Sequence, residues 1–281
     1  MRAASTQMDV DVGRGLTLHV TRSGAGTPIL LLHGFTGSAA TWDALREVLD
    51  RRYTTIAVDL PGHGRSTAPA DPARFALRGF ADDLGRVLDE IGVERAGVVG
   101  YSMGGRAALQ FALHHPSRVA ALVLESATPG IETAAERAVR VDSDMALADM
   151  VERDGVPAFV QFWERLPIWS SQRALSAEVR ATLHAQRLAN HSVGLANSLR
   201  GAGAGALPPV WSQLKTIAAP TLLVAGALDA KFVAIAERMA CEMPLAHSEI
   251  VRDAGHAVHL ERPAEFAAIA AAAFEQMVRA P

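Results

Sequence analysis

The stretch Gly97-Val98-Val99-Gly100-Tyr101-Ser102-Met103-Gly104-Gly105-Arg106 decides how the rest of the chain reads. A short β-branched run ends in G-x-S-x-G and gives way to a helical pattern from Arg106 to His114. Strand, tight turn and helix in that order form the setting in which a serine is strained and its hydroxyl presented at the end of a sheet. Small residues are needed there because the turn leaves no room for Cβ atoms on the flanking chain. The helix that follows begins with free N–H groups, which favour negative charge.

Outward from this turn, apolar runs fit buried parallel strands at Ile29 to Leu32, Thr54 to Val58, Gly97 to Val99, Val119 to Leu124 and Thr221 to Val224. Between them lie helical patterns such as Phe80 to Ile91, where Leu84, Val87, Leu88 and Ile91 recur at helical spacing. Alternation of this kind implies a parallel sheet flanked by helices. It is interrupted between about Pro129 and Pro209 by several helical patterns with no strand-like run, which reads as an inserted helical cap. The expected organisation is a core in two parts, 1–128 and 210–281, with the cap at 129–209. The Gly201 to Pro209 stretch, GAGAGALPP, has neither helical nor strand period and reads as an exit loop.

In a fold with this elbow the acid ends a later strand and the histidine follows the next one. Asp229 ends PTLLVAGALD, and His256 sits in Ala254-Gly255-His256 just past the strand-like Ser248 to Val251. The order Ser102, Asp229, His256 is that of the α/β-hydrolase fold, with Ser102 as nucleophile, His256 as base and Asp229 orienting the base. Taken alone, Asp229 reads more readily as a helix cap or turn former than as an acid. His259 competes for the base position, but Leu260 and Glu261 beside it already read as the next helix entry. His33-Gly34-Phe35 follows the strand PILLL, so the amides of Phe35 and Met103 are the expected oxyanion donors, and His33 is expected to bond within its own loop. The turn from Asp59 to Ser66 reads as structural.

Bulk properties narrow the ligand. The 281 residues are 49% hydrophobic with a net charge of −3 and no basic block, so nucleic acid is not an expected partner. The single cysteine, Cys241, has no Cys/His companions at zinc spacing; it is expected to be a buried thiol, and no metal or organic cofactor is called for. The beginning of the sequence lacks a signal-like apolar region and no apolar run is long enough to span a bilayer, so a cytoplasmic enzyme acting on a small molecule is expected. Oligomeric state is not legible.

With these residues in hand the chain resembles the 2-succinyl-6-hydroxy-2,4-cyclohexadiene-1-carboxylate synthases of menaquinone biosynthesis. The matching segments are LLHGFTGSAATW, VDLPGHGRS, GYSMGGR, LVLESATPGI, ERAVR, FVQFWERLP, the stretches around QRLAN and GLANSLRGAG, AGALDAKF and AGHAVHLERP. Core motifs are shared with many esterases; the cap motifs are not. The resemblance implies a lyase, in which the triad removes a proton from the succinyl side chain and the ring then eliminates pyruvate. It also implies a polycarboxylate substrate held by Arg106 in GYSMGGR, Arg140 in ERAVR and Arg187 in QRLAN, with Trp163 and Tyr101 shaping the wall. Arg137 and Arg200 are weaker candidates. Without the resemblance these arginines read as solvated helix faces and Trp163 as a core aromatic. A serine hydrolase acting on a carboxylate-bearing ester or carbon–carbon bond, and a binding protein that has kept only the fold, remain the rival readings.

Overall fold

Alternate residues of the central strands feed two different cores. A computed structural model describes residues 5–279; the residues outside that range, which the sequence reading gave to the ends of the core, are not described. In β3 (Thr27–Leu32), Leu30 and Leu32 pack on one face of the sheet and Ile29 and Leu31 on the other. The same division holds for Val98 and Val99 of β5 (Ala96–Tyr101), and for Leu122 and Val123 of β6 (Val119–Glu125). Strands covered on both faces need apolar side chains at every position, which is why they read as continuous runs.

The sheet has eight strands in the order β1-β2-β4-β3-β5-β6-β7-β8, where β4 is Tyr53–Val58, β7 is Thr221–Gly226 and β8 is Ala246–Val251. All pairs from β4 to β8 are parallel. At the other edge β1 (Thr6–Asp11) and β2 (Thr17–Gly24) pair antiparallel, and neither is among the runs read from the sequence. Met8 and Val10 alternate with polar residues, so this half-exposed edge lacks the unbroken apolar run of a buried strand.

Helices α1 (Asp43–Leu49) and α9 (Pro263–Arg279) cover one face, and α2 (Leu77–Glu90) and α3 (Met103–His114) the other. Helix α2 starts three residues before the expected Phe80, and buried Leu77 extends its apolar stripe. Helix α7 (Ala230–Glu242) follows β7, and the single turn α8 (Val258–Glu261) leads into α9. On α7, Ala236 and Met239 face the core, whereas Cys241 lies on the outer face. The expected burial of Cys241 is therefore corrected: it is exposed, because helical phase overrides the general tendency of thiols to be buried.

Between β6 and β7 run α4 (Ala134–Trp163), a 3-10 helix at Pro167–Ala174, α5 (Ala177–Leu188) and α6 (Ser192–Ala202). Gly155, at φ 82° and ψ 168°, breaks α4 into two rods, and Pro157 cannot supply the hydrogen bond that would rejoin them. Phe159, Val160 and Leu195 form a core of their own, which Phe35 joins to the main body. Asn190 Nδ2 donates to Thr36 O at 2.9 Å and Asn197 Nδ2 to Pro69 O at 2.9 Å, tying α6 and its approach to the sheet loops. The Gly201 to Pro209 stretch is not a featureless linker. Its first two residues finish α6, and a Cβ on Gly203 would lie 2.4 Å from Leu199 O and 2.5 Å from the Asp144 carboxylate.

Candidate active site

Ser102 stands between β5 and α3 at φ 50° and ψ −105°, a conformation few non-glycine residues adopt. The strain is held in place because α3 starts hard against β3: a Cβ on Gly104 would lie 2.1 Å from Leu32 O. Ser102 N–H donates to Glu125 O at 2.9 Å, which pins the turn to the end of β6.

Asp229, just after β7, is both a helix cap and an acid facing the imidazole. Its Oδ1 accepts the Phe232 N–H at 3.4 Å and its Oδ2 accepts His256 Nδ1–H at 2.7 Å. With the proton on Nδ1, Nε2 is left to accept the Ser102 hydroxyl at 3.2 Å. The imidazole is enclosed edge-on by Phe232 at 4.6 Å and Trp169 at 5.5 Å.

The Phe35 and Met103 amides make no hydrogen bond to a protein acceptor among the described residues. Phe35 packs its ring edge-on to Trp163 at 5.3 Å, so the residue offering the amide is held by the helical insertion. His33 bonds within its own loop through one nitrogen and across to the next through the other: Nδ1–H donates to Gly34 O at 2.7 Å, and Nε2 accepts the N–H of Leu60, beyond β4, at 2.9 Å. Burial holds its pKa down at about 4, and that of its neighbour His63 at about 3. His259 donates from Nδ1 to Glu125 Oε2 at 2.8 Å, and both side chains are buried, so it is committed away from Ser102.

A cavity of about 1640 Å³ opens over Ser102 and His256. Tyr101, Arg106, Arg140 and Trp163 all line it. Burial, and then the charge of Glu125, raise the Tyr101 pKa well above its ordinary value, so its hydroxyl is neutral. Arg106 is almost fully buried and donates to Ala202 O. Burial, and then the Arg140 charge, lower its pKa to about 10, so it remains a cation at neutral pH. Arg140 pairs with Asp144 at 2.9 Å. Burial raises the Asp144 pKa, partly opposed by Arg140 and Arg106.

Arg187, which the resemblance implied would face the substrate carboxylates, does not line the cavity. It is buried outside the cavity lining, 5.4 Å from the Trp169 ring centre and paired with Glu164 at 3.0 Å. Arg137 and Arg200 also lie outside the lining; Arg137 donates to Ile131 O and Glu132 O, and Arg200 pairs with Asp149 and Glu152.

The family model for the α/β-hydrolase fold matches residues 27–263. The 2-succinyl-6-hydroxy-2,4-cyclohexadiene-1-carboxylate synthase of Salmonella heidelberg (strain SL476) is 33% identical over 243 residues, 85% of this chain and 90% of its own. A Bacillus subtilis (strain 168) protein given that name provisionally is 42% identical over 265 residues, 93% of this chain and 96% of its own. The chain belongs to this synthase family. The solved structure of MenH from S. aureus agrees with a TM-score of 0.87 at 31% identity, over 99% of this chain and 100% of that one.

Trp169, Lys231 and Ser126 are among the cavity residues to which the sequence reading gave no role. Trp169 meets both the Arg187 guanidinium and the His256 ring, and nothing in its local sequence marks it. Lys231 lines the cavity and makes no ion pair among the described residues; its place two positions after Asp229 is the signal that would have found it. Ser126, at φ 47° directly after β6, lines the cavity with a buried hydroxyl that has no hydrogen-bond partner among the described residues.

Among the described residues no helix is long and apolar enough to cross a membrane, and no group of three or more His, Cys, Asp or Glu is placed to hold a metal ion.

Proposed function

We propose that the protein is a lyase that eliminates pyruvate from 2-succinyl-5-enolpyruvyl-6-hydroxy-3-cyclohexene-1-carboxylate to give 2-succinyl-6-hydroxy-2,4-cyclohexadiene-1-carboxylate. The observation that carries the reading is a buried, charged Arg106 in the same cavity as a bonded Ser102–His256–Asp229 relay. Residues 129–209 act as a cap, supplying Arg140 and Trp163 to that cavity.

The reaction conserves atoms in a way that assigns the proton. Going from a 3-ene to a 2,4-diene with loss of the group at ring carbon 5 requires loss of hydrogen from ring carbon 2, beside the succinyl ketone. This corrects the expectation that the proton leaves the side chain itself. As that C–H bond breaks, the 3,4 double bond becomes a 2,3 and a 4,5 double bond, and the carbon 5–oxygen bond breaks. The departing enolpyruvate takes up a proton and becomes pyruvate.

His256, oriented by Asp229, draws the Ser102 proton so that the serine oxygen can take the ring hydrogen. Negative charge then develops on the ketone oxygen, which the amides of Phe35 and Met103 are free to receive. Arg106 and Arg140 meet carboxylates; an arginine fork in a low-dielectric site suits that task. Arg187 acts indirectly, holding Trp169 against the base.

The test is to offer the enolpyruvyl cyclohexene substrate and an activated ester in parallel. Pyruvate release is expected from the first, and it is nearly abolished in Ser102→Ala and His256→Ala. Ester turnover greater by orders of magnitude would assign the site to a hydrolase instead.

A further inference from the structure

The loop carrying His256 is fastened by one buried carboxylate that takes no part in the relay. Glu261, at the end of α8, accepts the Gly255 N–H through Oε2 at 2.7 Å and the Ala257 N–H through Oε1 at 3.4 Å. These are the amides on either side of His256. Its Oε1 also accepts the hydroxyl of Ser171 at 3.0 Å. Glu261 is 9% exposed and makes no ion pair among the described residues, so its charge is balanced by main-chain donors and that hydroxyl.

Ser171 belongs to the 3-10 helix Pro167–Ala174 of the insertion, and the same helix presents Trp169 to the His256 ring. The fit against the loop is close. A Cβ on Gly255 would lie 2.1 Å from Ser171 Oγ and 2.9 Å from its Cβ, so residue 255 must be glycine for the insertion to seat here. Lifting the 3-10 helix removes one of the three donors from Glu261 and the aromatic wall from His256 together.

We infer that Glu261 is a positioning residue for His256: it fixes the base loop through the two flanking amides and, through Ser171, ties the base's position to the seating of the insertion. The inference rests on the reading of His256 as base. A glutamine at 261 has one acceptor oxygen, and its amide hydrogens would oppose the loop N–H groups. The base would then be held loosely while the substrate contacts on Arg106 and Arg140 stay in place.

The experiment compares kcat and KM for pyruvate release in Glu261→Gln, Ser171→Ala and the double variant, with His256→Ala in parallel. Glu261→Gln is expected to lower kcat about 10- to 100-fold with KM changed by less than about threefold, the signature of a displaced catalytic group. Ser171→Ala is expected to lower kcat about three- to tenfold alone and to have no further effect in the Glu261→Gln background. Wild-type kcat in both single variants, losses confined to KM, or two losses that simply multiply overturns the inference. If Glu261→Gln fails to fold, Ser171→Ala decides by the same kcat criterion. Retained activity in His256→Ala would defeat the reading of the base itself. A dead His256→Ala beside a fully active Glu261→Gln defeats only the role given to Glu261.

Discussion

Lowering the pH from 7 to 5 is expected to destabilise the fold through His33 and His63, two imidazoles that the structure keeps neutral. His33 Nε2 already accepts the Leu60 N–H and its Nδ1–H is already donated, so a second proton would face a donor inside a sealed site. His63 lies 5.2 Å away, ring centre to ring centre, and burial is the first cause of its lowered pKa, followed by the nearby His33. For both groups the folded pKa, about 4 and about 3, lies below the ordinary 6.5. The unfolded chain therefore binds protons between pH 6.5 and those values while the native state does not, and stability falls with pH across that window.

From pH 7 to pH 5 the loss is about 2 kcal/mol for each histidine. The buried carboxylates Asp83 and Asp144 oppose it, since burial raises their pKa values and the native state gains stability as pH falls through them. Urea unfolding followed by tryptophan fluorescence at the two pH values measures the total. His33→Gln isolates one contribution, because a glutamine oxygen can accept the Leu60 N–H without titrating. The variant is expected to lose about 2 kcal/mol less than wild type between pH 7 and pH 5. Identical pH dependence in wild type and His33→Gln would refute the reasoning.

Arg106→Ala is expected to cost about 2 kcal/mol or more in kcat/KM for pyruvate release, and unchanged kinetics would remove the carboxylate contact from the mechanism. His259→Ala leaves the buried Glu125 carboxylate with the residue-259 N–H but without the imidazole donor and is expected to lower unfolding free energy by about 1–3 kcal/mol; an unchanged urea midpoint would show that the pair is not the support of that region. Gly104→Ala drives a Cβ against Leu32 O, so about 1–3 kcal/mol of stability and most of kcat are expected to go together. Wild-type turnover in that variant would mean the elbow tolerates displacement.

The sheet and the relay were legible because each is announced by local chemistry. A strand buried on both faces has to be apolar throughout, and the serine turn has to have small neighbours. Asp229 was readable as a cap or as an acid, and it is both, one carboxylate oxygen serving each task. What the residues could not convey was side-chain direction. The resemblance implied that Arg187 faces the carboxylates, whereas its guanidinium lies over the Trp169 ring and pairs with Glu164, outside the cavity lining. Nothing in the sequence announced that Gly203 leaves room for the Asp144 carboxylate, since close packing and flexibility select the same small residue. Cys241 is exposed for a different reason: the spacing of Ala236 and Met239 directs the apolar stripe of its helix away from position 241, and that phase outweighs the tendency of thiols to be buried.

The interruption of α4 at Gly155 divides labour between two short rods. Arg140 rides on the first and Trp163 on the second, and no continuous hydrogen-bonded axis transmits a rotation from one to the other. A residue gained or lost ahead of the break turns the cationic end by about 100° without swinging the indole. The guanidinium and the indole of one helix thus reach the cavity wall at angles that are set separately.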